Sequence, residues 1–144
     1  MKKTGTKSDY EEDRKNDLMR VYHELLSSTK CIDPIAIYQE IVNAPAQRFW
    51  ISEERAAIVL SQMMKGDKLK SMRPTKREMF KELYRRAMAL KKQCPELSIT
   101  HLAYKVVNQP APKFYMAPTY ARNIIIQFKK KWFAERKKKL RFLF

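Results

Sequence analysis

Apolar residues recur at helical spacing along most of the chain, and the same order of helices is predicted twice. In the first half, spacings of three and four residues predict three helices, over residues 9–29, 34–43 and 52–66. In the second half they predict a helix after Pro74 that Pro95 ends, a helix from Ser98 to Asn108, and a helix from Pro118 onward. No segment combines strict apolar–polar alternation with turn signals. The sequence therefore predicts an all-α protein of about six helices.

The two sets of helices are predicted to be copies of one unit. NAPAQRFWI at residues 43–51 returns as NQPAPKFYM at residues 108–116, which is 65 residues later. Flanking apolar residues keep this separation, as in the pairs Ile37/Leu102, Ile41/Val106, Ala56/Ala121 and Val59/Ile124. A fixed period indicates one structural unit used repeatedly. We expect a disordered basic tail (1–8), a first three-helix repeat (9–66), a linker (67–73) and a second three-helix repeat with a basic C-terminal helix (74–144).

The residues that recur in the repeated loop are expected to serve the fold. Aromatic residues return as Phe49/Phe114 and Trp50/Tyr115, and we expect them to seal the loop onto the helices. Asn43 and Asn108 stand at helix ends, where asparagine often adopts the left-handed conformation of a C-terminal cap. Repetition indicates what the fold needs, so function is sought where the two copies differ.

The distribution of charge differs most between the copies. The formal net charge is +16. Residues 1–72 hold 12 Lys/Arg and 11 Asp/Glu, whereas residues 73–144 hold 19 and 4. Such an excess predicts a polyanionic partner, nucleic acid first and an anionic membrane surface second. No apolar run approaches the roughly 20 residues of a membrane span, and no apolar segment follows the basic N-terminus as a secretory signal would require.

Three short helices, the last two joined by a loop, make the sequence resemble tandem helix-turn-helix DNA-binding proteins of prokaryotic regulators and mobile genetic elements. The resemblance implies that the third helix of a copy enters the major groove of duplex DNA. The connection of about eight residues is longer than the usual three or four. The residues expected to contact DNA are Lys113, Thr119, Arg122, Asn123, Lys129, Lys130, Lys131, Arg136, Lys137, Lys138 and Lys139, with Arg48 and Arg55 in the first copy.

The starts of the two third helices carry different chemistry. Glu53 and Glu54 stand where the second copy has Pro118 and Thr119, and carboxylates there would repel phosphates. Arg122 suits guanine and Asn123 suits adenine in the major groove. We therefore expect the second copy to hold most DNA contacts, with the first as a weaker reader, a scaffold or a dimerisation surface.

Other chemistry finds little support in the sequence. The two histidines and two cysteines (His23, Cys31, Cys94 and His101) lack the close paired spacing of structural zinc sites. Cys31 and Cys94 follow the first helix of each copy, as packing residues would. With two glycines there is no phosphate-binding glycine loop, and no serine or cysteine stands in a nucleophile motif. We predict a non-enzymatic cytoplasmic protein without metal or cofactor.

Two other functions remain open at this point. The same cations would serve an RNA or ribonucleoprotein binder. Alternatively, the aromatic loop and the apolar C-terminal residues would bind a protein partner or a second copy of the chain; these residues are Leu140, Phe142, Leu143 and Phe144. Lys113, Arg122 and Lys130 on one face would favour DNA, and different faces would favour the assembly role.

Overall fold

Six α-helices make up the part of the chain that the structure describes. The computed structural model describes residues 6–28 and 33–143, with side chains over 10–28 and 33–141. In chain order the helices are α1 (Thr6–Ser27), α2 (Ala36–Val42), α3 (Glu53–Met64), α4 (Pro74–Gln93), α5 (Ile99–Val107) and α6 (Pro118–Leu143). These residues contain no strand, and a single antiparallel bridge joins Ala46 to Ala111. The all-α prediction is confirmed, and none of the described helices is both long enough and apolar enough to cross a membrane.

Two helices begin directly after the serine residues that were predicted to cap them. The Ser52 hydroxyl accepts a hydrogen bond from the amide of Arg55 (3.2 Å), and the Ser98 hydroxyl accepts one from the amide of His101 (3.3 Å). Each bond satisfies an amide that has no partner inside its own helix. The predicted starts of α3 and α5 are confirmed.

The first residues of α1 and α2 differ from those predicted from the sequence. α1 starts at Thr6, so residues 6–8 of the expected disordered tail are helical, while residues 1–5, Thr29 and Cys31 lie outside the described residues. α2 starts at Ala36 because a turn occupies the preceding residues. The Asp33 side chain accepts from the amide of Ile35 (3.1 Å), and its carbonyl accepts from Ile37 (3.0 Å).

Asn43 and Asn108 are the C-terminal caps of α2 and α5 as expected, but the left-handed conformation expected of them is wrong. Asn43 has φ −92° and Asn108 has φ −86°, both on the right-handed side. Asn108 instead donates its side-chain amide to the carbonyl of Tyr104 (2.8 Å). Left-handed backbone occurs at Tyr115 (φ 56°), inside the second loop, at Leu69 (φ 55°), and at Gly66 (φ 100°), which follows the end of α3 as predicted.

The third helix of each sequence copy packs against the other copy. α6 packs against α1 and α2, whereas α3 packs against α4 and α5. Between α2 and α3, and between α5 and α6, there is no comparable packing in the described residues. In a helix-turn-helix module the two consecutive helices pack together. Here α2 packs against α6 instead of α3, and α5 packs against α3 instead of α6. The division into two units at residues 67–73 stays a prediction.

The repeated loops cross one another through matched hydrogen bonds. Ala46 and Ala111 exchange two amide–carbonyl bonds of 3.0 Å each. The amide of Phe49 donates to the carbonyl of Val107, and the amide of Phe114 donates to that of Val42, again at 3.0 Å. Each bond becomes its counterpart when 65 is added to or subtracted from both residue numbers. The crossing explains why each chain segment leaves its own helices and joins the other set.

The aromatic residues of these loops pack into or against the core, as expected: Phe49 and Phe114 are buried, and Trp50 and Tyr115 are partly buried. Phe49 is fully buried and Phe114 is 3% exposed. Phe49 stacks on Tyr115 with a centroid separation of 6.0 Å, so the two loops pack together as well as against the helices. Other fully buried side chains come from both copies, including Leu18, Leu83, Ile41 and Val106.

Candidate nucleic-acid interface

Helix α6 consists of an anchored part and a part without buried residues. Up to Lys129, the side chains of Ala121, Ile124 and Ile125 are buried against the body. From residue 130 to residue 141 every residue is exposed. A helix that packed along one side would bury a residue every three or four positions. Residues 130–141, called the projecting segment below, therefore add no buried side chain to the core and span about 18 Å at ~1.5 Å per residue. Lys131, Trp132 and Glu135 still face α1, where they line a shallow pocket with Glu12 and Lys15.

The side chains of the projecting segment are mostly cationic. It holds one carboxylate, at Glu135, and seven Lys/Arg residues: Lys130, Lys131, Arg136, Lys137, Lys138, Lys139 and Arg141. None of these cations forms an ion pair within the described part of the chain. With ~3.6 residues per turn they point in all directions around the helix axis. Their charge is thus free to meet an anionic partner from several sides.

A single stripe along α6 contains most of the residues predicted to read bases. Thr119, Arg122 and Asn123 are exposed and lie opposite the buried face of the helix. Helical spacing puts Lys130 and Lys137 on the same stripe, which is about 27 Å long from Thr119 to Lys137. This stripe is called the reading face below.

Lys129 has a packing role in addition to its charge. Its ammonium group donates a hydrogen bond to the hydroxyl of Tyr22 and lies 4.6 Å from the centroid of that ring. The contact ties α6 to α1 at the last anchored residue. Lys129 was predicted as a DNA contact, but part of its hydrogen-bonding capacity is used inside the fold.

The two loop cations bind within the fold. Arg48 donates to the carbonyls of Phe49 (3.1 Å) and Ile51 (2.7 Å). Lys113 forms an ion pair with Glu78 of α4 (2.6 Å) and lies over the Tyr115 ring at 5.4 Å. Their recurrence in both copies therefore has a structural reason.

The remaining predicted contact in the first copy, Arg55, belongs to α3. Its side chain is exposed, and its amide donates to the cap residue Ser52. Since α3 packs with α4 and α5, Arg55 lies on a different helix group from the reading face. Arg122 and Lys130 thus share one face of α6, whereas Lys113 and Arg55 belong to other elements. Of the three residues whose common face would favour DNA binding, Lys113, Arg122 and Lys130, only the last two share a face.

Two arginines of α4 also bind groups within the fold, a structural role that the sequence did not suggest. Arg77 donates to the carbonyls of Leu69 (3.1 Å) and Met72 (2.8 Å), which holds the linker onto the helix. Arg86 donates to Glu82 (2.7 Å) and to the carbonyl of Pro110 (2.9 Å). Part of the positive excess of the second copy is therefore structural.

A cluster of aromatic rings and guanidinium groups lies beside the first turn of α6. Arg14 donates through Nη2 to the hydroxyl of Tyr120 (2.9 Å), and its guanidinium carbon is 5.3 Å from the Tyr120 centroid and 5.7 Å from that of Tyr10. The guanidinium of Arg48 lies 5.8 Å from the same Tyr10 ring and 5.2 Å from that of Trp50. Burial raises the pKa of Tyr10, although the two arginines oppose the shift. Nothing in the sequence pattern indicated this cluster, because Arg14 and Tyr120 are 106 residues apart.

No group of three His, Cys, Asp or Glu side chains in the described residues is arranged to hold a metal ion. Comparison with protein-family models, with curated proteins and with solved structures finds no match for this chain.

Proposed function

We propose that this chain is a non-enzymatic protein that binds duplex DNA mainly through α6, as a transcriptional regulator or an accessory protein of a mobile element would. The observation that carries the proposal is the projecting segment, an exposed stretch of helix with seven cations that form no ion pair within the described residues. Holding so many like charges together is unfavourable unless a polyanion is bound. A cytoplasmic location is part of this proposal, as for a regulator or mobile-element protein of a prokaryotic cell.

The shape of α6 fits the major groove. A helix with its side chains is about 10–12 Å across, and the major groove is about 12 Å wide. Cations on both flanks of such a helix would face the two phosphate backbones, and each neutralised phosphate releases condensed counterions. On the reading face, Arg122 would pair with guanine and Asn123 with adenine, while Thr119 would meet a phosphate.

The first copy would support the helix that binds. α6 is held by α1 and α2, with Lys129–Tyr22 at one point and Arg14–Tyr120 at another. The helix at the equivalent place on the other side, α3, has Ala57 and Ile58 where α6 has Arg122 and Asn123. It offers no cation at those two positions. In this proposal the first copy is mainly a scaffold.

The test is duplex binding across a salt series with two triple variants of equal charge. The wild-type protein should bind a random 30-base-pair duplex with a log–log salt slope of about −5 or steeper, at about −0.9 per phosphate contact. Lys137/Lys138/Lys139→Ala, in the projecting segment, should flatten the slope by up to about 2.7. The matched control Lys76/Lys81/Lys92→Ala removes three exposed cations of α4 and should leave the slope near that of the wild type.

Two results would contradict the proposal. Absence of duplex binding at low salt would rule it out, and equal losses in both triple variants would show that overall charge, and not α6, drives binding. RNA hairpins and single-stranded DNA belong in the same experiment, since a preference for RNA would favour the ribonucleoprotein role.

One observation favours the assembly role as the second candidate. Trp132, Phe133 and Leu140 of the projecting segment are each about half exposed (47%, 55% and 46%). Exposed apolar residues close together often mark a protein interface. Light scattering during chromatography would detect a homodimer, and Phe133→Ser with Leu140→Ser should then restore the monomer. The side chains of Phe142, Leu143 and Phe144 lie outside the described residues.

A further inference from the structure

Arg14 of α1 has donors that the fold does not use. Its Nη2 donates to the Tyr120 hydroxyl, but its Nε is buried and has no hydrogen-bond partner within the described residues. Leaving a buried donor unpaired is costly, more so for a charged group. Among the side chains described, those of residues 10–28 and 33–141, no carboxylate lies within 4 Å of this guanidinium. Solvent does not reach Nε, whereas the Nη end of the guanidinium, where it meets Tyr120, is exposed and can meet an acceptor from outside.

The second copy shows that packing at this position does not need an arginine. The residue 65 positions later is Met79, which is 5% exposed and belongs to the core. The counterpart of Tyr10 is Thr75, and the counterpart of Tyr120 is Arg55. An apolar side chain therefore satisfies the helix packing, and the arginine with its two tyrosines is particular to this side of the molecule.

The chemistry of the cluster fits a phosphate group. Two guanidinium groups, those of Arg14 and Arg48, lie near one Tyr10 ring. Arg48 also forms an ion pair with Glu53 (3.5 Å), so Arg14 supplies the positive charge that is left for an anion. A guanidinium offers a planar fork of donors that matches phosphate oxygens. The Tyr120 hydroxyl accepts from Arg14, so its own hydrogen remains available to a second acceptor.

The position of the cluster agrees with the proposed DNA contact. Tyr120 follows Thr119 directly in the first turn of α6, and Arg122 and Asn123 lie less than one turn further on. With ~100° between successive residues, Tyr120 stands at the edge of the reading face, where a helix in the major groove meets the backbone. Arg14 reaches the same edge from α1.

We propose that Arg14 and Tyr120 form a phosphate-binding site that takes one backbone phosphodiester of duplex DNA, next to the bases that Arg122 and Asn123 face. This inference rests on the proposed function. It assigns a direct DNA contact to the first copy of the repeat, in which α1 otherwise serves as a scaffold.

The test replaces Arg14 by the residue that the second copy uses. Arg14→Met should keep the thermal unfolding temperature close to that of the wild type, weaken duplex binding several-fold near 0.1 M salt, and flatten the salt slope by about 0.9, the value for one phosphate. Arg14→Lys should recover part of the affinity because it restores charge without the planar fork. The control Arg85→Met removes one exposed charge from α4 and should leave the slope unchanged.

Each outcome decides a different question. If Arg14→Met binds DNA like Arg85→Met while the wild type keeps its steep slope, the phosphate site is wrong and the proposed function stands. If the wild type does not bind duplex DNA, both are wrong. If Arg14→Met fails to fold, the Nε–H signal of Arg14 in the wild type decides by nitrogen-15 NMR: a shift at saturating duplex supports the site, and an unchanged signal overturns it.

Discussion

The two groups of packed helices carry the same net charge but hold it in different places. α1, α2 and α6 together contain 13 Lys/Arg and eight Asp/Glu, while α3, α4 and α5 contain nine and four, so each group has a net charge of +5. The first half of the sequence is nearly neutral and the second half strongly basic, yet the exchange of α3 and α6 removes that imbalance between the groups. A charge count along a sequence does not give the charge distribution of the fold.

Within the first group, opposite charges are separated between helices. α1 contains four Lys/Arg and six Asp/Glu, whereas α6 contains nine and one. In the second group the cations stand mostly on α4, where Arg77 and Arg86 bind carbonyl groups and Glu82. Free positive charge is therefore concentrated on α6, and the comparison separates cations that hold the fold from cations left for a partner.

The largest expected effect tests whether the two groups form one cooperative body. Leu18 of α1 and its counterpart Leu83 of α4 are both fully buried. Leu18→Ala and Leu83→Ala should each lower the free energy of unfolding by about 2–5 kcal/mol. Because each group contains helices of both sequence halves, unfolding should remain a single transition in both variants. Far-UV circular dichroism and tryptophan fluorescence should give the same midpoint.

Two separate transitions, or half of the helical signal surviving the first one, would contradict this prediction. Ile58→Ala is the control, since Ile58 is 53% exposed and its truncation should change stability by no more than about 0.5 kcal/mol.

The second prediction compares equivalent carboxylates of the two groups. Asp17 is 2% exposed and accepts hydrogen bonds from the amide of Gln47 and from the indole of Trp50, each at 2.9 Å. Asp17→Asn places an amide group among donors and should cost about 2–4 kcal/mol. Its counterpart Glu82 stands closer to solvent with Arg85 and Arg86, and Glu82→Gln should cost about 1 kcal/mol.

Urea unfolding of both variants at pH 7 would give these differences in free energy. Equal losses, or a larger loss for Glu82→Gln, would show that the buried bonds to the first loop are not what distinguishes the groups.

Local features of the fold were predictable from the sequence, because they depend on neighbours in the chain. Ser52 and Ser98 act as caps through the amides three residues ahead, and the burial of Phe49 and Phe114 follows from their recurrence. The helix order follows from apolar spacing in the same way.

The exchange of the third helices was not predictable, because a repeat shows which residues are equivalent but not which copy packs with which. The same reason hid the contact between Arg14 and Tyr120. Arg48 and Lys113 were assigned to DNA for their charge, although their recurrence already indicated a structural role. Asn43 and Asn108 do cap their helices, but the expected left-handed conformation is wrong because helix ends have several solutions. At Asn108 the side chain bonds to the preceding turn instead.

The smallest expected effect is the pH dependence that Glu82 contributes to its group. Hydrogen bonds from Arg85, together with those from Arg86, lower the pKa of Glu82 from 4.5 to about 2. A carboxyl whose pKa is lower in the folded state stabilises the fold above its unfolded value, and this stabilisation is lost as the pH falls from about 4.5 toward 2. Glu82→Gln should therefore lose less stability than the wild type over that range, and the two curves should converge at the acid end. Thermal unfolding between pH 2 and 6 measures this, with Glu96→Gln, at an exposed position without an ion pair in the described residues, as the control. If wild type and Glu82→Gln lose stability in parallel as the pH falls, then Arg85 and Arg86 do not lower the pKa of Glu82 in the folded protein. The partly exposed ion pairs of Glu82 would then contribute no pH dependence to the second helix group.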